Sequence, residues 1–241
     1  MIKFVILTEI RTGYKWLSSL ISSHPKSFCF GEIFGSDEEV RQQSMFAKPL
    51  TAIKEKEDPK IWLKDNIEKW AVKNKLDAVG FKVNYIDGKY NNNWDSLWEY
   101  IDKDFKIIHL TRNNLLDRAL SELLAVKENK WATHDYKSKI NIDPNHLLKI
   151  VKRSENWQKE AKNKFDRMFE LTYEQMKYDP KSLINMQSFL GLEPQLLDSG
   201  SKKQRQFNQS HYIKNYKEIS RIIREYPCYK YMLDDPEIKI I

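Results

Sequence analysis

The sequence predicts an α/β protein of three layers (α/β/α), with helices covering both faces of a mainly parallel sheet. Two observations carry that expectation. Short apolar runs, among them Phe4-Val5-Ile6-Leu7, Ala78-Val79-Gly80-Phe81-Lys82-Val83 and Phe105-Lys106-Ile107-Ile108-His109-Leu110, read as strands buried on both faces. The segments between them repeat apolar residues at helical spacing. A chain of 241 residues is long enough for one sizeable core, so a single domain over residues 1–241 is expected. A hydrophobic fraction of 41%, with 11 Phe and 12 Tyr, fits a folded chain and not a disordered one.

Lys and Arg number 41 against 34 Asp and Glu, a net charge of +7 that favours anionic ligands. No long basic tract is present, nor a basic face with stacking aromatics, so nucleic acid is not the expected partner. Cys29 and Cys228 cannot build a disulfide framework and suit a reducing compartment. Neither sits near a second Cys or a paired His, so no metal site is expected. No apolar run approaches the roughly 18 residues of a membrane span. The apolar run before Glu9 is too short for a secretory signal, and a soluble cytoplasmic protein is expected.

In chain order, Phe4 to Leu7 give the first strand, and Trp16, Leu17, Leu20 and Ile21 mark one face of a helix that His24-Pro25 ends. Between them lie Thr8 to Lys15, with one glycine and two cations. Such a loop aims backbone N–H groups and the positive end of a helix at one point, which suits a phosphate or sulfate. The plainer alternative is an ordinary turn with surface charges. A nucleotide-kinase P-loop needs G-x-x-x-x-G-K-[ST], whose last residue holds magnesium. Here the first glycine is missing and Trp16 follows Lys15. A dinucleotide fingerprint needs three spaced glycines, and only Gly13 is present.

The run Arg11-Thr12-Gly13-Tyr14-Lys15-Trp16-Leu17 resembles the phosphosulfate-binding loop of sulfotransferases that use 3′-phosphoadenosine 5′-phosphosulfate (PAPS). In that loop a basic residue precedes S/T-G-x-x-W-L. The sequence departs at Tyr14 and Lys15, where many members carry small hydroxyl residues. The resemblance implies the P-loop-like sulfotransferase fold, with the donor held by Arg11, Thr12, Gly13, Tyr14, Lys15 and Trp16.

Ser27 to Phe30 read as a second strand, followed by Gly31-Glu32-Ile33-Phe34-Gly35. A carboxylate among Phe30, Ile33 and Phe34 sits where burial raises its pKa. In bacterial sulfotransferases of this kind a G-E-x-F element supplies the base, which implies that role for Glu32. The alternative is a glutamate that pairs with a loop cation. Residues 36 to 57 show no clear pattern and are expected to form a lid or an acceptor-recognition segment. Asp58 and Pro59 open a helix to about residue 74 through Trp62, Leu63, Ile67 and Trp70. Lys82 lies near the carboxyl end of the strand from Ala78, where open α/β sheets place ligands. Related sulfotransferases carry a G-[FLV]-K-[VL] strand here, which implies a catalytic role for Lys82. A lysine reaching solvent is the alternative.

Trp94, Leu97, Trp98 and Ile101 mark the next helix, before the strand that ends at Thr111. His109 within that strand reads as a satisfied buried histidine. Arg112 then offers a planar fork to phosphate, and Ser121 lies two turns into a helix capped by Asn113 or Asn114. In the resembled family an Arg and a Ser at this spacing bind the 3′-phosphate. Residues 127 to 142, with Trp131, His134 and Tyr136, form a loop suited either to an acceptor pocket or to a plain surface excursion. His134 is the reserve candidate for the base.

Asp143-Pro144 starts a helix to about residue 163, and residues 165–172 read as the last core strand. Asp179-Pro180 opens a helix that ends at Gly191. The run from Thr172 to Leu192 resembles the family's Y-E-x-[LM] … P … FLG signature. A basic C-terminal loop closes over the nucleotide in that family, which points to Lys203 and Arg205. Tyr212 to Tyr226 read as one amphipathic helix.

Taken with the resemblance, the expected activity is sulfuryl transfer from PAPS to a hydroxyl or amine, without a metal. Glu32 would act as base, with Arg11, Lys15 and Lys82 at the reacting group. The acceptor is open among small molecules, carbohydrates and lipids. The alternatives are a nucleotide-binding module without turnover and a P-loop nucleotide kinase.

Overall fold

The computed structural model describes residues 1–34, 58–86, 94–131, 135–199 and 207–233. Its strands are β1 (Ile2–Thr8), β2 (Ser27–Glu32), β3 (Ala78–Asn84), β4 (Lys106–Thr111) and β5 (Met168–Thr172). They lie in the order β2-β3-β1-β4-β5, and every neighbouring pair is parallel. The helices in the first half of the chain are α1 (Tyr14–Ser23), α2 (Pro59–Trp62), a π-helical stretch (Leu63–Glu68), α3 (Lys69–Lys73) and α4 (Trp94–Asp104). After these come α5 (Leu115–Glu128), α6 (Pro144–Lys164), α7 (Tyr173–Tyr178) and α8 (Pro180–Phe189). The last are α9 (Gln209–Tyr212), α10 (Tyr216–Glu225) and a 3₁₀ turn (Pro227–Met232).

The chain divides into two compact units, one of Met1–Thr111 with Ala161–Ser201, the other of Arg112–Glu160 with Lys202–Ile241. The first holds the whole sheet. Because strand side chains alternate between faces, Val5, Leu7, Phe81 and Val83 join one apolar cluster, with Trp62, Leu63 and Leu97 from the covering helices. Phe4, Ile6, Ile108 and Leu171 join the other, with Leu17, Met176 and Met186. This double burial is why the strands read as continuous apolar runs. In the second unit Leu116, Leu120, Val151, Tyr212, Ile219 and Ile223 are among the residues of a separate core.

Several local expectations match the structure. Asp58 caps α2 by accepting from the N–H groups of Lys60 and Ile61, with Pro59 at the first helical position. Asp179 and Pro180 do the same for α8, and Gly191 follows with φ +68°.

Three differ. The helix expected from 59 to 74 widens to a π turn in its middle, where the Asn66 amide donates to the Trp62 carbonyl at 3.0 Å. The run after β5 folds as α7, closed by a reciprocal Thr172–Gln175 capping box. The C-terminal helix breaks in two because Ile213 is extended and bridges to Ile140. Its neighbours' backbones exchange bonds with Ile140 of 2.8 and 2.7 Å. Residues 36–57 lie outside the described residues.

Candidate functional site

The β1–α1 loop is built from its own side chains inward. Thr12 is buried, and its hydroxyl lies 2.8 Å from the Glu9 carbonyl and 2.5 Å from the Thr8 hydroxyl. Thr8 in turn donates to the Leu110 carbonyl at 2.7 Å, which ties the loop to β4. Arg11 and Gly13 both take the left-handed conformation, with φ +67° and +96°. For a non-glycine residue that geometry costs about 1–2 kcal/mol, and strain of this kind collects at functional sites. Gly13 is required twice over, since a Cβ there would meet the Tyr173 ring at 2.6 Å. Helix α1 starts with no side-chain cap and no acidic residue in its first turn. Its first turn therefore carries Lys15 and no carboxylate of its own, an arrangement suited to an anion.

Beside this loop stands a closed polar cluster. Glu32 is the last residue of β2, paired in register with Lys82 of β3. Its Oε1 accepts from Lys82 Nζ at 2.9 Å and from Asn84 Nδ2 at 2.7 Å. Its Oε2 accepts from the Tyr14 hydroxyl at 3.0 Å. Lys82 also donates to Asn84 Oδ1, and its ammonium lies 4.7 Å from the centre of the Tyr14 ring. Lys82 is 0% exposed and Glu32 8%. The expectation that Lys82 either reaches solvent or serves the site is thus resolved in one respect: its side chain is enclosed.

The expectation that burial leaves Glu32 with a raised pKa is corrected. Burial alone pushes the carboxyl up, but the Lys82 charge and the hydrogen bonds from Lys82, Asn84 and Tyr14 outweigh it and hold the pKa below the ordinary range. The apolar neighbours in sequence were read correctly as buried. What reverses the sign comes from α1 and β3.

The cations are mutually repelling. Burial lowers the Lys15 pKa, Arg11 and Lys82 lower it further, and Glu32 only partly opposes them. Burial and the facing Glu32 push the Tyr14 phenol well up, so it remains a hydrogen donor. Trp16 packs edge-on against Tyr173, ring centres 5.7 Å apart. The Cys29 thiol is enclosed, donates to Ser18 Oγ at 3.3 Å and is pushed up to about 11 by burial, so it stays protonated.

A second polar group occupies the opposite face of the sheet. Tyr85 Oη lies 2.6 Å from His109 Nε2, and His109 Nδ1 lies 3.0 Å from Glu170 Oε1. Both ring nitrogens of His109 are therefore satisfied, as the sequence suggested.

In the second unit Arg112 gives Nη2 to Asp117 Oδ2 at 2.8 Å. Asp117 Oδ1 accepts from Gln209 Nε2 at 2.7 Å, and Asn114 caps α5 by accepting from the Asp117 N–H. Ser121 sits half-buried within α5.

The structure thus brings Arg11, Tyr14, Lys15, Glu32 and Lys82 together in the first unit and places Arg112 and Ser121 in the second. Lys203, Arg205 and His134 lie outside the described residues. Sequence reasoning missed Asn84 and Asp117. Asn84 was visible as the residue two beyond Lys82, on the same strand face. It also missed the fully buried Arg118, whose signal was Glu122 four residues on, now its partner at 2.7 Å. Among the described residues no three His, Cys, Asp or Glu gather as metal ligands.

No protein-family profile matches the chain, and no curated protein matches it by sequence. Among solved structures, a sulfotransferase from Alicyclobacillus acidocaldarius aligns over 98% of each chain, with a TM-score of 0.52 and 15% identity. At that identity the likeness is one of fold. The chain shares the α/β fold of that protein, and among the described residues it has a five-stranded, all-parallel sheet flanked by helices.

Proposed function

We propose that the protein is a sulfotransferase that moves a sulfuryl group from PAPS to a hydroxyl or amine of a small-molecule, glycan or lipid acceptor. The observation that supports this most is the joining of a strained, uncapped cationic loop to the Glu32–Lys82 pair at the carboxyl ends of β1, β2 and β3. The donor would supply a sulfuryl group activated by a phosphate leaving group. Arg11, Lys15 and the N–H groups opening α1 would hold that phosphosulfate, while Thr12, its hydroxyl engaged by Glu9 and Thr8, offers only its backbone. Lys82 would neutralise charge developing on the bridging oxygen. Glu32 would take the proton released as the acceptor's oxygen or nitrogen bonds to sulfur. Arg112 and Ser121, with Lys203 and Arg205, would bind the 3′-phosphate. A cytoplasmic setting is part of this reading. It rests on the cysteine usage; among the described residues no helix is long and apolar enough to cross a membrane.

A nucleotide-binding module without turnover is the second reading, favoured by one observation: both Glu32 oxygens already accept hydrogen bonds. The two are separated by incubating the purified protein with labelled PAPS and panels of hydroxyl and amine acceptors. Adenosine 3′,5′-bisphosphate should bind at micromolar affinity or better, and ATP much more weakly. Equal stabilisation by the two nucleotides would count against the 3′-phosphate site. Tight binding with no transfer to any acceptor would favour the module, and magnesium-dependent phosphoryl transfer would favour a kinase.

A further inference from the structure

In this arrangement Glu32 is a poor base, because three donors stabilise its charged form: Lys82 and Asn84 on Oε1, Tyr14 on Oε2. Of the three only Lys82 is charged, so it is the one an incoming anion attracts. It is also enclosed, so solvent does little to screen that attraction. The groups that act on Glu32 are Tyr14 and Lys15 on α1 and Lys82 and Asn84 on β3, while Arg11 on the loop acts on Tyr14 and Lys15, and Cys29 on β2 acts on Tyr14. Arg11 and Lys15 place further positive charge on the loop side of the cluster.

We propose that Lys82 serves two anions in turn. It holds Glu32 until the donor's sulfuryl group arrives, and its withdrawal toward that group leaves Glu32 free to take the acceptor's proton, with Tyr14 keeping the carboxylate in place. This rests on the sulfotransferase reading above. The consequence is that the base is switched on by the donor and stays weak in the empty site. Tyr14, where related loops carry a small hydroxyl residue, is then a positioning residue: its phenol holds Oε2 and its ring faces the ammonium.

The inference is tested by ¹³C NMR of the full chain labelled at glutamate side chains, with the Glu32 signal identified by its loss in Glu32→Gln. Calorimetry establishes donor binding in parallel. In the free protein Glu32 should titrate below an ordinary glutamate. With PAPS and no acceptor its midpoint should rise by about one unit or more, the scale of losing a close opposite charge. Reciprocity then requires donor affinity to increase about tenfold as pH falls through that window.

Tyr14→Phe, which keeps the ring, should raise the midpoint already in the free protein and move the acid limb of the kcat profile the same way. If PAPS binds and the midpoint stays put, the sharing of Lys82 is wrong while the sulfotransferase reading survives. If PAPS does not bind, both fall. An unmoved midpoint in Tyr14→Phe would remove Tyr14 from the arrangement.

Discussion

Replacing Lys82 with methionine tests the cluster through stability alone. Methionine keeps the length and apolar stem of the side chain but removes the charge, leaving Glu32 8% exposed and short of its ionic partner. Breaking a buried pair by removing one member costs about 3–5 kcal/mol. Asn84 and Tyr14 still donate to the carboxylate, so the lower figure, about 3 kcal/mol, is expected. For a chain of this size that lowers Tm by about 6–12 °C.

The loss should depend on pH, and its sign is set by Glu32. In the parent the folded pKa is depressed, so Glu32 adds stability above the unfolded value of about 4.3 and loses it as pH falls through the folded one. Without Lys82 burial dominates, the folded pKa rises, and the carboxylate becomes a penalty that protonation relieves. The stability gap between parent and variant should therefore be widest near pH 7 and narrow on acidification. Urea unfolding of both proteins across that range measures it. A gap below about 1 kcal/mol, or one that does not change with pH, would refute the reasoning, since an exposed pair behaves that way.

Glu32→Gln should leave donor affinity nearly unchanged and lower kcat about a hundred- to ten-thousand-fold; near-parental turnover, with collapse in His134→Ala, would move the base role to His134. Arg112→Ala should cost about 1.5–3 kcal/mol in affinity for adenosine 3′,5′-bisphosphate, and Ser121→Ala less, both read by calorimetry. Gly13→Ala combines a left-handed backbone with a Cβ placed 2.6 Å from Tyr173. It should destabilise the fold by at least about 1–2 kcal/mol, and an unchanged Tm would show that the loop relaxes freely.

The legible parts of the molecule were those whose cause is local. β1 and β3 declare themselves because both faces are buried, and α2 and α8 because Asp-Pro pairs open them. α7 was equally local, since Thr172 and Gln175 stand three apart, but its box went unread behind a family signature. The break before α10 was not legible, because Ile213 leaves the helix for a partner at Ile140. The same holds for the acidity of Glu32. Its apolar neighbours are adjacent in sequence, whereas Tyr14, Lys82 and Asn84 are 18, 50 and 52 residues away. Pattern reading sees the first set and misjudges the sum.

The central position of β1 also bears on how the protein is made. Its two sheet neighbours begin at Ala78 and Lys106, so during synthesis the strand emerges long before either partner. At about 5–20 residues per second that wait lasts several seconds, with an apolar ribbon of two open edges in solution. The β1–α1 loop is delayed with it, because Thr8 reaches its partner carbonyl only when Leu110 of β4 arrives. Nascent chains stalled before β4 should therefore be clients of holding chaperones, and the proposed binding of the nucleotide donor should appear abruptly, late in elongation and not in proportion to length.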